Sequence, residues 1–334
     1  MKILLKQSQK ILLVVIPATL LMAGISAYSS IVSHQALFEA CKQRELNVAA
    51  TFIQNTLQEN MNRAAARASI VANLPSIKEA FRAGDRDKIL ERLLPALLIQ
   101  RDRYGVKEGR FHTAPATTFL QVYTPTLGVG EDVSSFREMV VNANKNHEPL
   151  KGLEISRKGL AIRGIDVIKD DQGYIGSFEI GLSFLPALEE VKKNTGFELG
   201  AFADDDLMSS IATAVPKPDS ERIITGLRNV EATDWNVIKA VISPELLSSA
   251  TEVSTQVKTI SGLDYGIVIV PLKDYKGLNI GAIVAVQNFD VYQKQLSAAI
   301  VRAIAFSFLQ VLVLCGILIV MIHVMFVRTE AASK

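Results

Sequence analysis

Two cysteines, four histidines and one tryptophan are all that 334 residues contain of these types. So few cysteines and histidines leave no material for a disulfide framework or a zinc cluster, and no metal site is expected. A dominant charge is also lacking. Lys and Arg total 36 against 34 Asp and Glu, a net charge of +2, which gives no electrostatic case for a nucleic-acid partner. Glycine and proline are absent from Ser29 to Leu74, which excludes a turn or break from that stretch. No nucleophile beside a base, no phosphate-cradling glycine loop and no paired-carboxylate spacing stands out. The chain is therefore not read as an enzyme, and no catalytic residue or cofactor is expected. Asp204, Asp205 and Asp206 lack the Gly and closing Glu of a calcium loop and read better as the cap of a short helix.

What the sequence has in plenty is apolar residues, 49% of the chain, with a mean hydropathy of +0.24. Ile11 to Tyr28 is a run without a charge, preceded by Lys2, Lys6 and Lys10. Ala303 to Val327 is a second, bounded by Arg302 and Arg328. At about 1.5 Å per residue both reach across a hydrocarbon core roughly 30 Å thick, the first only just. Pro17 falls in the first two turns, where a lipid-embedded helix accepts it. A cleaved signal peptide is the alternative for the first run, given its basic start and small residues near its end. Against that, the helical pattern continues past Tyr28 without interruption. Basic flanks favour a cytoplasmic location for residues 1–10 and 328–334. The region between the spans then lies outside, periplasmic in an inner-membrane protein. Cys41 and Cys315 are too far apart in such a molecule to be bridged and read as packing residues.

Residues 29–75 read as one stalk helix. Leu46, Ala50, Ile53, Leu57, Met61, Ala64, Ala68 and Val71 recur by threes and fours, the seam of a helix paired with another surface. That surface is either the chain's own domain or a second copy, and a homodimer is expected. Pro75 stops the helix and Ser76 offers the next cap. Residues 76–185 then read as helices, two strands, a helix over 133–146 and three antiparallel strands. Ser177, Glu179, Gly181 and Ser183 alternate with Phe178, Ile180, Leu182 and Phe184, the pattern of a half-buried strand. Residues 186–302 repeat the scheme on a smaller scale, with strands over 197–203, 253–260, 265–271 and 278–287. The fold class is α+β: two related units on a long N-terminal helix, flanked by transmembrane helices at 11–28 and 303–327.

The segment RFHTAPATTF from Arg110, the later VGEDVSSFREMVVNANKNHEPLKGLEISRKGLAIRGIDVI and GYIGSFEIGLSF carry a resemblance. They resemble the double Cache sensor domain of methyl-accepting chemotaxis proteins, sensor histidine kinases and diguanylate cyclases, most closely from Tyr104 to Phe184. The resemblance implies a membrane-distal PAS-like module that receives a small ligand, a membrane-proximal PAS-like module, and a helix that transmits the result. Such receptors normally continue into a signalling domain, whereas this sequence stops seven residues past the second apolar run. The expectation is a fragment, or a sensor that borrows its output from a cytoplasmic or membrane partner. The alternative function is a membrane module that binds a protein partner and no small molecule.

A pocket for an organic anion or amino acid needs polar groups converging in an apolar hollow, and Arg is favoured because its planar fork grips a carboxylate. Arg163, inside an apolar strand, is either a ligand contact or a structural pair with Glu154 or Asp166. Arg137 is the second candidate, and His112 can hydrogen-bond a ligand or change charge with pH. Phe119 and Tyr123 either line the hollow or are plain core.

Overall fold

The computed structural model describes residues 2–248 and 250–331, with side chains described for 13–248, 250–324 and 327. The side chains of Lys2, Lys6, Lys10 and Arg328, and the whole of Lys334, lie outside the described residues.

A single helix, α1 (Lys2–Ala72), contains Pro17 without ending there. Its seam from Leu46 to Val71 is largely buried by the chain itself, so the chain's own body takes the surface that a second copy would otherwise cover. Helix α2 (Pro75–Arg82) starts with proline in its first turn, and Leu74, not Ser76, occupies the cap position, with no side-chain bond. The missing N–H and fixed φ of proline suit a first turn, and they set the start of the helix before Ser76 can. Helix α3 (Arg86–Tyr104) is capped by Asp85, which accepts from the Lys88 amide, and is closed by Gly105 at φ 69°.

The first sheet follows: β1 (Val106–Thr113), β2 (Thr117–Gln121), β3 (Leu150–Ser156), β4 (Gly159–Asp170) and β5 (Gly173–Leu182), in the order β2-β1-β5-β4-β3. Helix α4 (Glu138–Asn146) crosses the sheet between β2 and β3 in sequence. It begins five residues later than the apolar pattern predicts. Residues 133–137 are instead a turn in which the Phe136 and Arg137 amides both donate to Val133 O.

One face of this sheet packs on the helices. Phe111 and Phe178 meet at a tilt with ring centroids 4.5 Å apart, and the Phe81 ring of α2 lies 5.5 Å from that of Phe111. On the same face a Cβ at Gly164 would collide with the backbone of Ala64 and Ala65 in α1. Only glycine lets that strand and that helix approach so closely. The other face of β5 carries Ser177 and Glu179, and both are fully buried. Alternation reported two chemically different faces correctly. It could not report that a further segment covers the polar one.

Beyond α5 (Leu185–Thr195) lies a second sheet of β6 (Glu198–Asp204), β7 (Ile223–Ile224), β8 (Leu227–Ala232), β9 (Ser254–Ile260), β10 (Leu263–Lys273) and β11 (Asn279–Asn288), ordered β7-β8-β6-β11-β10-β9. Helices α6 (Asp205–Ile211), α7 (Trp235–Val241) and α8 (Pro244–Ser248) connect its strands. Asp204 caps α6 by accepting from the Leu207 amide, as the acidic triplet suggested. Strand β7 is only two residues long, too short for an alternation, and β8 lacks a readable one because a polar residue is buried in it. Asn229 donates to Ala201 O and Glu231 O at 3.1 Å each. One face of this second sheet is filled by Phe202, Ile267, Ile269 and Val284 against Ile238 and Leu247.

The final helix is α9 (Asp290–Ala331). Residues 45–287 form one compact unit; α1 up to Arg44 and α9 form another. In that second unit Phe38 meets Tyr292 edge to face at 6.2 Å. Both of its helices are long and apolar enough to cross a membrane, with windows of mean hydropathy 1.7 and 2.7.

Candidate functional site

The register of the first sheet assembles a polar face strand by strand. Arg110 pairs with Glu179, and His112 with Ser177, across β1 and β5. Thr118 of β2 stands opposite His112, and Arg163 of β4 opposite Gly181. Side chains two residues apart share a face, so Glu108, Arg110 and His112 point the same way. Gly181 leaves room beside them: a Cβ there would stand 3.1 Å from Glu108 Cβ and 3.2 Å from Arg163 Nη1.

Arg137, the residue before α4, reaches down onto this face and is wholly buried. Its Nε donates to Glu154 Oε2 at 2.8 Å, its Nη1 to Glu179 Oε1 at 3.0 Å, and its Nη2 bonds Glu179 Oε2. The second oxygen of Glu154 accepts from the Met139 amide at 2.8 Å. One guanidinium and one carboxylate thus tie the start of α4 to β3 and β5. Arg163, also wholly buried, donates to Ser156 Oγ at 2.7 Å, Glu108 Oε1 at 3.1 Å and Glu179 Oε2 at 3.4 Å. Arg110 lies 3.1 Å from Glu108 Oε2. Three arginines face three glutamates, and the charges cancel.

The electrostatics follow from that balance. Burial alone would raise the Glu108 carboxyl, but Arg163 and Arg110 outweigh it and hold the group down at about 2. Burial opposes ionisation of Glu179 too, yet Arg137 and Arg163 keep it well below the usual carboxylate range. Burial lowers His112 and prevails over its bond to Glu179, so the ring is neutral at pH 7. Its Nε2 lies 3.2 Å from Glu179 Oε1. Facing an ionised carboxylate, that nitrogen carries the proton, and Nδ1 presents a lone pair. His112 Nδ1, Ser177 Oγ and Thr118 Oγ1 are buried without a hydrogen-bond partner among the described residues. They occupy adjacent positions on three neighbouring strands.

Four of the seven candidate residues therefore come together: Arg137, Arg163, His112 and Glu154. Glu154 is a firm partner of Arg137 and only a distant one of Arg163, at 4.0 Å. Asp166 does not join them. It pairs across to Phe178 on the helix-packed face, and its Oδ1 accepts from the Val167 amide. Phe119 is on that side as well, edge-on to Phe81 at 4.7 Å with the Arg86 guanidinium over its ring. Tyr123 follows the end of β2 and donates to Leu97 O in α3 at 2.7 Å. The cluster adds Glu108, Arg110, Ser156, Ser177, Glu179 and Thr118, which sequence reasoning did not select. The available signal was the Glu-x-Arg-x-His alternation of β1 matched by Ser-x-Glu in β5. Among the described residues no His, Cys, Asp and Glu group is arranged to hold a metal ion.

Comparison with known proteins bears on the whole region that carries this cluster. The family described as the double sensory domain of two-component sensor kinases matches residues 40–291. Among solved structures, the chain is similar to the sensory domain of the Campylobacter jejuni chemoreceptor Tlp3 with isoleucine bound, at 13% identity and TM-score 0.46, over 80% of this chain and 98% of that one. It is also similar to the periplasmic domain of Vibrio cholerae LuxQ, at 9% identity and TM-score 0.45, over 73% of this chain and 99% of that one. No curated protein matches it.

Proposed function

The chain belongs to the double sensory domain family of two-component sensor kinases, and from that premise we propose that it is a membrane-anchored sensor whose first sheet receives a small ligand beneath α4. The observation that carries this is the Arg137 clasp: a buried, charge-balanced cluster in which one arginine joins the covering segment to the sheet. Helix α4 also packs Met139, Val140 and Ala143 against Ile165, but burying the ion pairs at its start costs several kcal/mol per ion, so that end is less firmly seated than apolar contacts of similar volume would make it. In the second sheet the face that carries Phe202 is lined mainly by apolar side chains, with Asn229 buried among them and bonded to backbone carbonyls.

The ligand is an amino acid or a small organic anion. Arg137 and Arg163 supply donors for its carboxylate, while His112 Nδ1, Ser177 Oγ and Thr118 Oγ1 offer acceptors matched to an ammonium group. A zwitterion exchanges with an internal Arg–Glu pair and leaves the buried charge at zero. A monoanion leaves an excess negative charge that must be neutralised, and this favours the amino acid. Residues 76–185 and 186–302 act as the distal and proximal modules, outside an inner membrane crossed at 11–28 and 303–327. A homodimer passes the movement along α9 to a signalling partner.

The test is a thermal-shift screen of the full chain in lipid nanodiscs against amino acids and short organic acids. A ligand at a hundredfold excess over its Kd stabilises by about 2.7 kcal/mol. Stabilisation that vanishes in Arg137→Lys supports the site. No shift with any compound, together with retention on an immobilised partner protein, would replace the reading with that of a partner-binding module.

A further inference from the structure

Strands β10 and β11 are joined by a tight turn at residues 274–278. Asp274 organises it: its Oδ1 accepts from the Lys276 and Leu278 amides at 2.9 Å each, and its amide donates to Leu278 O at 2.8 Å. The tip of this hairpin reaches the first sheet. The Tyr275 amide donates to Leu153 O in β3 at 3.3 Å, and Tyr275 Oη accepts from Asn142 Nδ2 in α4 at 2.9 Å. Its ring packs on the apolar group of Met139, Val140, Ala143 and Ile165, and Lys276 pairs with Glu138. Strand β3 carries a glycine where the tip arrives. A Cβ at Gly152 would lie 2.5 Å from Tyr275 Cβ and 2.9 Å from its Cα.

Helix α4 thus has attachments in two directions. At its start Arg137 holds it to the buried cluster; along its length Glu138 and Asn142 hold it to the hairpin. The hairpin leads directly into β11, which lies between β6 and β10 in the second sheet and ends at Asn288, next to the start of α9 at Asp290. A strand paired on both sides moves with its sheet and does not flex alone, so a displacement at its first residue is carried along it. We propose that Tyr275 and Lys276 are positioning residues that read the placement of α4 and convey it through β11 toward α9. This rests on the reading that α4 covers the ligand site.

Releasing α4 without any ligand gives the cleanest experiment. Amide hydrogen exchange would be measured on the full chain in nanodiscs for the wild type, Arg137→Gln, Tyr275→Ala with Lys276→Ala, and all three substitutions together. Arg137→Gln raises exchange about tenfold in 138–146 and also in 279–288. In the triple variant 138–146 responds as before, while 279–288 stays at the level of the Tyr275→Ala, Lys276→Ala parent. Gly152→Val, which leaves both partners' side chains intact, uncouples in the same way by displacing the tip. Where Arg137→Gln does not fold, Arg137→Lys, which keeps the charge and loses the fork, takes its place. Exchange in 279–288 that ignores the Arg137 substitution, or follows it equally without Tyr275 and Lys276, overturns the proposal. A ligand screen without a hit would remove the sensor reading and leave this coupling standing. A hit combined with no coupling would remove only the coupling.

Discussion

Arg137 and Glu179 form a two-point ion pair in which neither side chain is exposed to solvent. The pair joins elements far apart in sequence, the turn before α4 and the middle of β5. Removing one member of a buried pair leaves the other charge without compensation and costs about 3–5 kcal/mol. Removing both leaves two arginines and two glutamates, Arg110 and Arg163 with Glu108 and Glu154, equal in number, although Glu154 then keeps only the 4.0 Å approach to Arg163.

Non-additivity is therefore the expected signature. Arg137→Gln and Glu179→Gln each lower stability by about 3–5 kcal/mol. The double variant loses less than their sum, by an interaction of about 0.5–3 kcal/mol. Denaturant unfolding of the four proteins in detergent micelles measures this directly. Strictly additive losses would show that the two residues do not act on each other.

Acid should destabilise the chain in two windows. Glu108 and Glu179 have lowered values in the fold, so their contribution is complete above the unfolded carboxylate value of about 4.3 and is lost as pH falls toward theirs. His112 is also lowered by burial. The unfolded ring binds a proton below about 6.5 while the folded one resists, so stability already declines below that pH. The groups facing His112 are Glu179 and Ser177 from β5, Thr118 from β2, Arg110 on its own strand and Arg137 from the cover. Melting temperature against pH should lose its upper decline in His112→Gln and keep the lower one. An unchanged upper decline would mean that another group is responsible.

Much of the architecture can be read from the chain because the signals are local. Asp85 and Gly105 bracket α3, Asp204 begins α6, and Gly196 at φ 77° closes α5. The cluster is only half readable. Arg163 stands out because its neighbours in β4 are apolar, whereas Glu108, Arg110 and Glu179 alternate as residues of a wet strand face do. Whether such a face meets water or another segment is decided by where α4 lies, which no strand encodes. Arg137 looks like an exposed helical arginine until the helix is found to start at Glu138. Tyr275 is unreadable for the same reason: its partners, Asn142 and Leu153, belong to the other sheet's unit of sequence.

Gly164 should be intolerant of any side chain. Its missing Cβ is what allows β4 to lie against the backbone of α1 at Ala64 and Ala65. Those atoms cannot rotate away, so Gly164→Ala must shift the helix or the strand and should cost about 1–3 kcal/mol as overpacking does. Gly173→Ala, with nothing within 4 Å of the added carbon, controls for loss of the residue type, although its φ of 113° adds backbone strain of its own. A Gly164→Ala protein no less stable than wild type would show that the contact yields easily.

Membrane topology has a direct chemical test. Ser220 begins an exposed turn of the region between the two apolar helices. In a Cys41→Ser, Cys315→Ser background, Ser220→Cys should react with a membrane-impermeant maleimide in cells whose outer membrane alone has been opened. Labelling that appears only after lysis would place the sensor region in the cytoplasm.

A dimer contact is expected on the part of α1 before Leu46, because the seam from Leu46 onward is already taken by the chain's own body. Leu37 is 58% exposed and stands one helical turn before Cys41, which is a free thiol. An apolar side chain of that exposure on a regular helix is buried when a parallel copy packs against it, and the symmetric contact then brings the same residue of each chain together. Cys41 lies close enough to that face to report on it. Mild oxidation of membranes should give a disulfide-linked dimer that Cys41→Ser abolishes. Leu37→Cys in that background should restore it, since residues one turn apart share the face. If neither cysteine cross-links under any oxidising condition, α1 does not meet its own copy at this height, and the movement proposed for α9 would have to be read out from a single chain.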